Sequence, residues 1–164
     1  MLFNILTVAT LLSAVSASPV PVPQVEIAPV YAFDITNWHA GCQRECFYGF
    51  NITGNTFGQY PTIPAFSAEC LGEKEGADYR KCTFNDGGSE NRTLVAKLLP
   101  VNQTGTGAHL QVSYGWTDSE QAHTYYNYTG YANPKYNAAA APNANFTIIP
   151  QEMFGVGGGE PPVA

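Results

Sequence analysis

Charge is what this chain has least of. Among 164 residues there are only 7 Lys plus Arg and 13 Asp plus Glu, together 12 %, against the ~25 % of an ordinary soluble domain. So little charge cannot solvate a long exposed helix, and a helical bundle is excluded with it. The basic residues (Arg44, Lys74, Arg80, Lys81, Arg92, Lys97 and Lys135) are scattered, and the net charge is −6. No cationic track exists for a phosphate backbone, so nucleic acid is not an expected partner. Glu73-Lys74-Glu75 reads as a solvated loop run. No Cys-x-x-Cys pair occurs, and none of His39, His109 and His123 stands at ligand spacing from a cysteine, which removes a zinc site. No Gly-x-Ser-x-Gly turn is found, and four cysteines leave no odd thiol for nucleophilic work. Neither a metal nor a cofactor is expected.

Long hydrophobic runs are also missing, apart from residues 2–15 (LFNILTVATLLSAV). That run is too short for a membrane span of ~20 residues. It is followed by Val15-Ser16-Ala17, with small residues where signal peptidase reads, and then by a proline-rich segment that cannot extend a helix. Residues 1–17 are read as a signal peptide, despite an n-region whose only positive charge is the α-amino group. Two features agree with secretion. Asn-x-Thr occurs at Asn51, Asn91, Asn102, Asn127 and Asn145, more often than chance provides, and each is a candidate N-glycosylation site expected to face water. Cys42, Cys46, Cys70 and Cys82 are an even set, as two disulfides in an oxidising compartment require.

What remains is rich in core formers: 45 % hydrophobic residues with ten Tyr, nine Phe, 16 Gly and 12 Pro. Residues 18–29 (SPVPVPQVEIAP) read as an extended polyproline-like leader. Residues 30–154 are expected to form one domain, and residues 155–164 a loosely attached Gly/Pro-rich tail. Within the domain the hydrophobic period is two, the mark of strands with one buried face. Leu110, Val112, Tyr114 and Trp116 alternate with Gln111, Ser113, Gly115 and Thr117. Cys46, Tyr48, Phe50 and Ile52 share one face and leave Asn51 on the other. Further strands are expected at Val30–Trp38, Pro64–Cys70, Tyr79–Asn85, Thr93–Val101, Thr124–Tyr131 and Asn145–Ile149, with Asn102 at the tip of a hairpin loop. About eight short strands at this spacing predict an all-β fold, a single antiparallel β-sandwich or β-barrel.

Cys42 and Cys46 on one extended strand would lie ~13 Å apart, beyond the reach of a bridge. Either they pair elsewhere or they close a tight loop. The segment from Leu71 to Lys81 is charged and contains glycine, as an exposed connection between neighbouring strands does, which favours Cys70–Cys82. Elimination then leaves Cys42–Cys46.

The order Trp38-x-Ala40-Gly41-Cys42, then Cys46-x-Tyr48-x-Phe50-x-Ile52, Phe66-Ser67-Ala68-Glu69-Cys70 and Tyr79-Arg80-Lys81-Cys82 resembles the small secreted fungal proteins grouped around the Alternaria major allergen. The resemblance covers roughly residues 30–116. It implies a β-barrel or sandwich without known catalysis, deployed outside the fungal cell and often active at the interface with a plant, and a bridge between neighbouring strands over Phe66–Cys82. No cysteine follows Cys82, so the family's late bridge and disulfide-linked dimer are not carried over.

Reaction chemistry finds little footing. Glu45 and Glu69 are the one carboxylate pair a glycosidase could draw on, and the histidines fall on polar or loop-like positions. The aromatic crowd is more suggestive. Trp116, Tyr125, Tyr128 and Tyr131, with Tyr126 and Tyr136 nearby, would suit stacking on a sugar ring or a flat phenolic ligand, while Tyr126 and Tyr128 also share the face expected to be core. The expectation is therefore a secreted, extracellular glycoprotein that acts by binding, as an effector or elicitor at a fungus–host interface. Its expected partners are a host extracellular protein, a cell-wall glycan or a small phenolic ligand. A glycan-binding module using the surface aromatics is the alternative, and a small extracellular hydrolase the third reading.

Overall fold

The computed structural model describes residues 30–58, 61–88, 90–100, 107–118, 124–137 and 143–157. The segments expected as signal peptide and leader, Asn102, His123 and most of the expected tail lie outside the described residues. Two five-stranded antiparallel sheets pack face to face. The first has the order β5-β3-β2-β1-β9 and the second β10-β8-β7-β6-β4. In chain order these strands are β1 (Phe33–Cys42), β2 (Cys46–Gly54), β3 (Phe66–Glu73), β4 (Arg80–Lys81), β5 (Thr83–Phe84), β6 (Arg92–Leu98), β7 (Leu110–Asp118), β8 (Thr124–Ala132), β9 (Ala144–Ile148) and β10 (Glu152–Val156). The described part of the chain is all-β, and it contains no helix long and apolar enough to cross a membrane.

Ten strands stand where about eight were expected, for two local reasons. The segment expected as Tyr79–Asn85 breaks at Cys82 into β4, which pairs with β6 of the second sheet, and β5, which pairs with β3 of the first. The other addition is β10, which pairs with β8 through Glu152↔Thr129 to Val156↔Tyr125 and carries the domain past the expected boundary at residue 154. Both lateral edges of the sandwich are thus made by a chain segment that leaves one sheet and joins the other, β4–β5 on one side and β9–β10 on the other. Strands that switch sheets at corners are how a sandwich approaches a closed barrel.

The period-two pattern fills the space between the sheets. Phe33, Ile35, Trp38, Tyr48, Phe50, Ile52, Phe66 and Ala68 of the first sheet meet Leu94, Ala96, Leu98, Leu110, Val112, Tyr114 and Trp116 of the second, and all are buried. Aromatic rings run through this core as a chain. Phe66 stacks on Tyr114 at 4.2 Å between centroids and Tyr114 on Trp116 at 5.6 Å, and Trp116 stacks on both Tyr126 and Tyr128. Such offset contacts add to burial.

Polar groups tie the ends. Tyr48 donates its hydroxyl proton to the Ala96 carbonyl across the sandwich at 2.8 Å. Arg92 gathers the 86–88 turn: its guanidinium meets both Asp86 oxygens, at 2.8 and 3.0 Å, and also donates to the Ala65 carbonyl at 2.7 Å. Asn137 clamps residues 133–137 to β1, accepting from the Ala40 amide and donating to the Trp38 carbonyl. Glu75 departs from its expectation as part of a solvated run. It is half-buried beside the Cys42–Cys46 bridge and accepts the Tyr136 hydroxyl proton.

Candidate functional site

Both disulfides are formed, Cys42–Cys46 and Cys70–Cys82. The tight-loop alternative holds for the first pair: β1 and β2 form a hairpin in which Cys42 and Cys46 face each other across residues 43–45. With both sulfurs of each pair oxidised, the neighbouring Glu75 carboxylate finds no thiolate with which to share a metal ion. Cys70–Cys82 has a different consequence. It pins the end of β3 against the corner where β4 meets β5, so Leu71, Gly72 and Glu73 leave one cysteine while Arg80 and Lys81 arrive at the other.

Between these two short segments lies an open cleft of about 620 Å³, lined by His39, Phe47, Tyr48, Leu71, Gly72, Glu73, Arg80 and Lys81. Its floor is the outer face of the first sheet. Register places His39, Gly49 and Leu71 in one row and Phe47 beside Glu73 in the next. Gly49 is required there, because a Cβ would come within 2.3 Å of the His39 ring and 2.9 Å of Leu71. The His39 ring and the Leu71 side chain therefore close over the glycine, and beside the polar ring two apolar side chains are left in water, Phe47 41 % and Leu71 57 % exposed. Gly72 makes the second close approach: a Cβ would sit 2.4 Å from the Tyr48 ring, which lies directly beneath. Burial pushes the Tyr48 hydroxyl up to about 12, with the nearby Arg80 charge pulling the other way. Arg80 is exposed and lines the β4 side of the cleft. Arg92 is held by Asp86 and Lys97 sits over the Tyr79 ring, whereas neither Arg80 nor Lys81 has an ion-pair partner among the described residues.

The tyrosine-rich segment is divided by its strand. On β8, Tyr128 is partly buried and stacks with Trp116, which is itself buried and so unavailable to a ligand on the surface. Tyr125 and Tyr131 point outward and are separated by Asn127 and Thr129. The structure thus does not bring Trp116, Tyr125, Tyr128 and Tyr131 onto one surface. The outward face is also less open than the Asn127 sequon led us to expect. Asn127 is only 8 % and Tyr125 only 6 % exposed. Gly115 allows this: Tyr125 lies down over it, with its hydroxyl 2.1 Å from where a Cβ would be, and Phe154 of β10 stands opposite Asn127. Beneath that cover, Ser113 and Thr129 both donate to the Asn127 side-chain oxygen, at 2.9 and 3.0 Å, and Asn127 Nδ2 donates to the Tyr125 hydroxyl at 3.2 Å. The nitrogen that a glycan would use is engaged inside the fold. Tyr131 belongs to a second polar chain, accepting from Gln111 Nε2 at 3.0 Å and donating to Glu152 at 2.9 Å.

The other described sequons differ from Asn127. Asn91 and Asn145 are exposed, and Asn51 is half-exposed on the outer face of the first sheet. Asn145 accepts the Asn37 amide on its side-chain oxygen at 3.1 Å, and no hydrogen bond of its nitrogen is found among the described residues. The hydrolase candidates do not converge. Glu45 is in the β1–β2 turn, and Glu69 pairs with Asn51 several residues along the strand, roughly 15–20 Å away at ~3.3 Å per residue. His109 lies just before β7 in the second sheet, and His39 on the outer face of the first. The cleft itself escaped the sequence reading because its residues come from four separate strands. The available signal was a pair of cations immediately before a bridged cysteine and an apolar residue immediately after its partner.

Compared with known protein families, with characterised proteins and with solved structures, the chain shows no significant match.

Proposed function

We propose that this is a secreted glycoprotein that acts by binding, an effector or elicitor at a fungus–host interface of the kind that the resemblance to the Alternaria major-allergen group implies. The observation that carries this reading is the cleft over Cys70–Cys82: an exposed apolar floor and two cations without ion-pair partners, outside the core and not used in holding the fold. Large apolar side chains left in water next to unpaired charge mark a recognition surface. Two disulfides in a domain of this size are typical of extracellular proteins and support the compartment. The glycan-binding alternative keeps only Tyr125 and Tyr131 on an outward face, with Tyr125 covered.

The test is infiltration of the purified secreted protein into leaf tissue beside a heat-denatured, reduced control. A cell-death or defence response to the folded protein alone is the expected result. Absence of any response, combined with turnover of a polysaccharide or ester substrate, would overturn the reading. Retention on cell-wall polysaccharide that is lost in Tyr131→Ala would replace it with the glycan-binding one.

A further inference from the structure

Resting on that reading, we propose that the cleft between β3 and β4 takes a small amphipathic monoanion, a monocarboxylate with an apolar body. Three features of the site select this chemistry. Phe47 and Leu71 are exposed on the floor beside the polar His39 ring and give it an apolar part, which suits a hydrocarbon chain or an aromatic ring lying along the sheet. The rim on the β4 side is lined by Arg80 and Lys81, successive strand residues whose side chains alternate in direction, and neither is in an ion pair with an acidic side chain of the described residues. A guanidinium can hold a carboxylate at two points, and partial exclusion of water by the apolar floor strengthens that contact.

The third feature sets the charge. Glu73 stands at the same cleft, opposite Phe47 in the β2–β3 register. Against the two cations it leaves one net positive charge, which balances a single carboxylate and would leave a dianion such as a phosphate monoester only half neutralised. The volume of about 620 Å³ falls in the range of small-ligand sites and accommodates a medium-chain fatty acid or a bicyclic aromatic acid. The bridge holds the two walls together: Leu71 follows Cys70 and Lys81 precedes Cys82, so the apolar and basic sides are fixed at a constant separation by a covalent link directly below them.

The experiment is titration calorimetry of the secreted, folded protein with decanoate and with 2-naphthoate, and with decanol and 2-naphthol as neutral counterparts. Saturable binding of at least one carboxylate, with its neutral counterpart at least roughly tenfold weaker, is the expected result, since a charge-assisted contact of this kind is worth about one such factor. Preference for decanoate identifies an aliphatic source and preference for 2-naphthoate an aromatic one. The double variant Arg80→Gln, Lys81→Gln should lose a similar factor, and Leu71→Gln should weaken acid and neutral compound alike. Glu73→Gln should bind the carboxylate more tightly, a gain that damage to the fold could not produce. No saturable binding of either acid, equal binding of the neutral compounds, or unchanged affinity in the double variant would overturn the proposal. A leaf response that persists in those circumstances would leave the binding-protein reading standing without this ligand.

Discussion

The Tyr48 hydroxyl and the Ala96 carbonyl join the two sheets through a single hydrogen bond of 2.8 Å in the buried interior. Tyr48 enters from β2 of the first sheet, and Ala96 belongs to β6 of the second, so the bond spans the interior between two sheets whose facing side chains are largely apolar. Replacing Tyr48 by Phe keeps the ring and removes only the donor. We expect the variant to lose about 1 kcal/mol, the net worth of one buried hydrogen bond, measured as a lower urea midpoint with an unchanged slope.

Tyr31 supplies the opposite case. It is buried among Phe33, Phe57 and Tyr128, and its hydroxyl has no hydrogen-bond partner. Burial pushes its ionisation far above the ordinary tyrosine range. An unpaired buried hydroxyl costs about 1–3 kcal/mol of desolvation. Tyr31→Phe is therefore expected to be neutral or to stabilise by up to about 1 kcal/mol, opposite in sign to Tyr48→Phe. Equal losses in the two variants would show that a water or another group satisfies Tyr31.

The Asp86–Arg92 pair gives the fold a dependence on acid. Hydrogen bonds from Arg92, backed by the amides of Gly88 and Ser67, hold the Asp86 carboxyl below the usual carboxylate value. A carboxyl that is more acidic in the folded than in the unfolded chain contributes stability above its unfolded value, near pH ~4, and loses it as pH falls through the folded one. Asp86→Asn should therefore be less stable than the parent at pH 7, by about 0.5–1 kcal/mol for a partly exposed pair. The two melting temperatures should converge between about pH 4 and pH 2. A constant gap across that range would count against the ion pair as its source.

The two bridges should contribute unequally. Chain-entropy arguments give roughly 3 kcal/mol for closing the twelve-residue separation of Cys70–Cys82 and roughly 2 kcal/mol for the four-residue separation of Cys42–Cys46. Paired Cys→Ala variants compared by denaturant unfolding should show that order. Because Cys70–Cys82 also fixes the walls of the cleft, its removal should weaken carboxylate binding, whereas removal of Cys42–Cys46 should leave binding close to that of the parent.

Glycopeptide mass spectrometry of the secreted protein should find glycans at Asn51, Asn91 and Asn145 and none at Asn127. Asn91 and Asn145 are exposed and Asn51 is partly exposed, while Asn127 uses its nitrogen inside the Ser113–Thr129–Tyr125 cluster. Full occupancy of Asn127 would mean that β8 does not carry its outward face under Tyr125 and beside Phe154.

The sequence by itself determined the class of fold. Period-two hydrophobicity in β2 and β7, Gly and Pro punctuation, and an even set of cysteines each have a local physical cause, so an antiparallel sandwich or barrel, the 42–46 tight loop and the 70–82 bridge could be read before any contact was known, although β7 is buried on both faces rather than one. The strand that breaks at Cys82 was not legible, because two residues on either side of a corner have the same local pattern whether they pair with one sheet or with two. Nor was β10, whose exposed residues show no alternation and form a strand only because β8 offers an unpaired edge. The face of Asn127 was misread for a related reason. A polar residue alternating with tyrosines predicts exposure, but a bare Gly115 on the next strand lets Tyr125 fold down and exclude water. The cleft is tertiary altogether: Phe47, Leu71 and Arg80 are distant in the chain and share a surface only because β2 pairs with β3 and a disulfide draws β4 alongside. Alternation fixes which way a side chain points, whereas its neighbours, and so its solvent and its chemistry, are fixed by strand pairing.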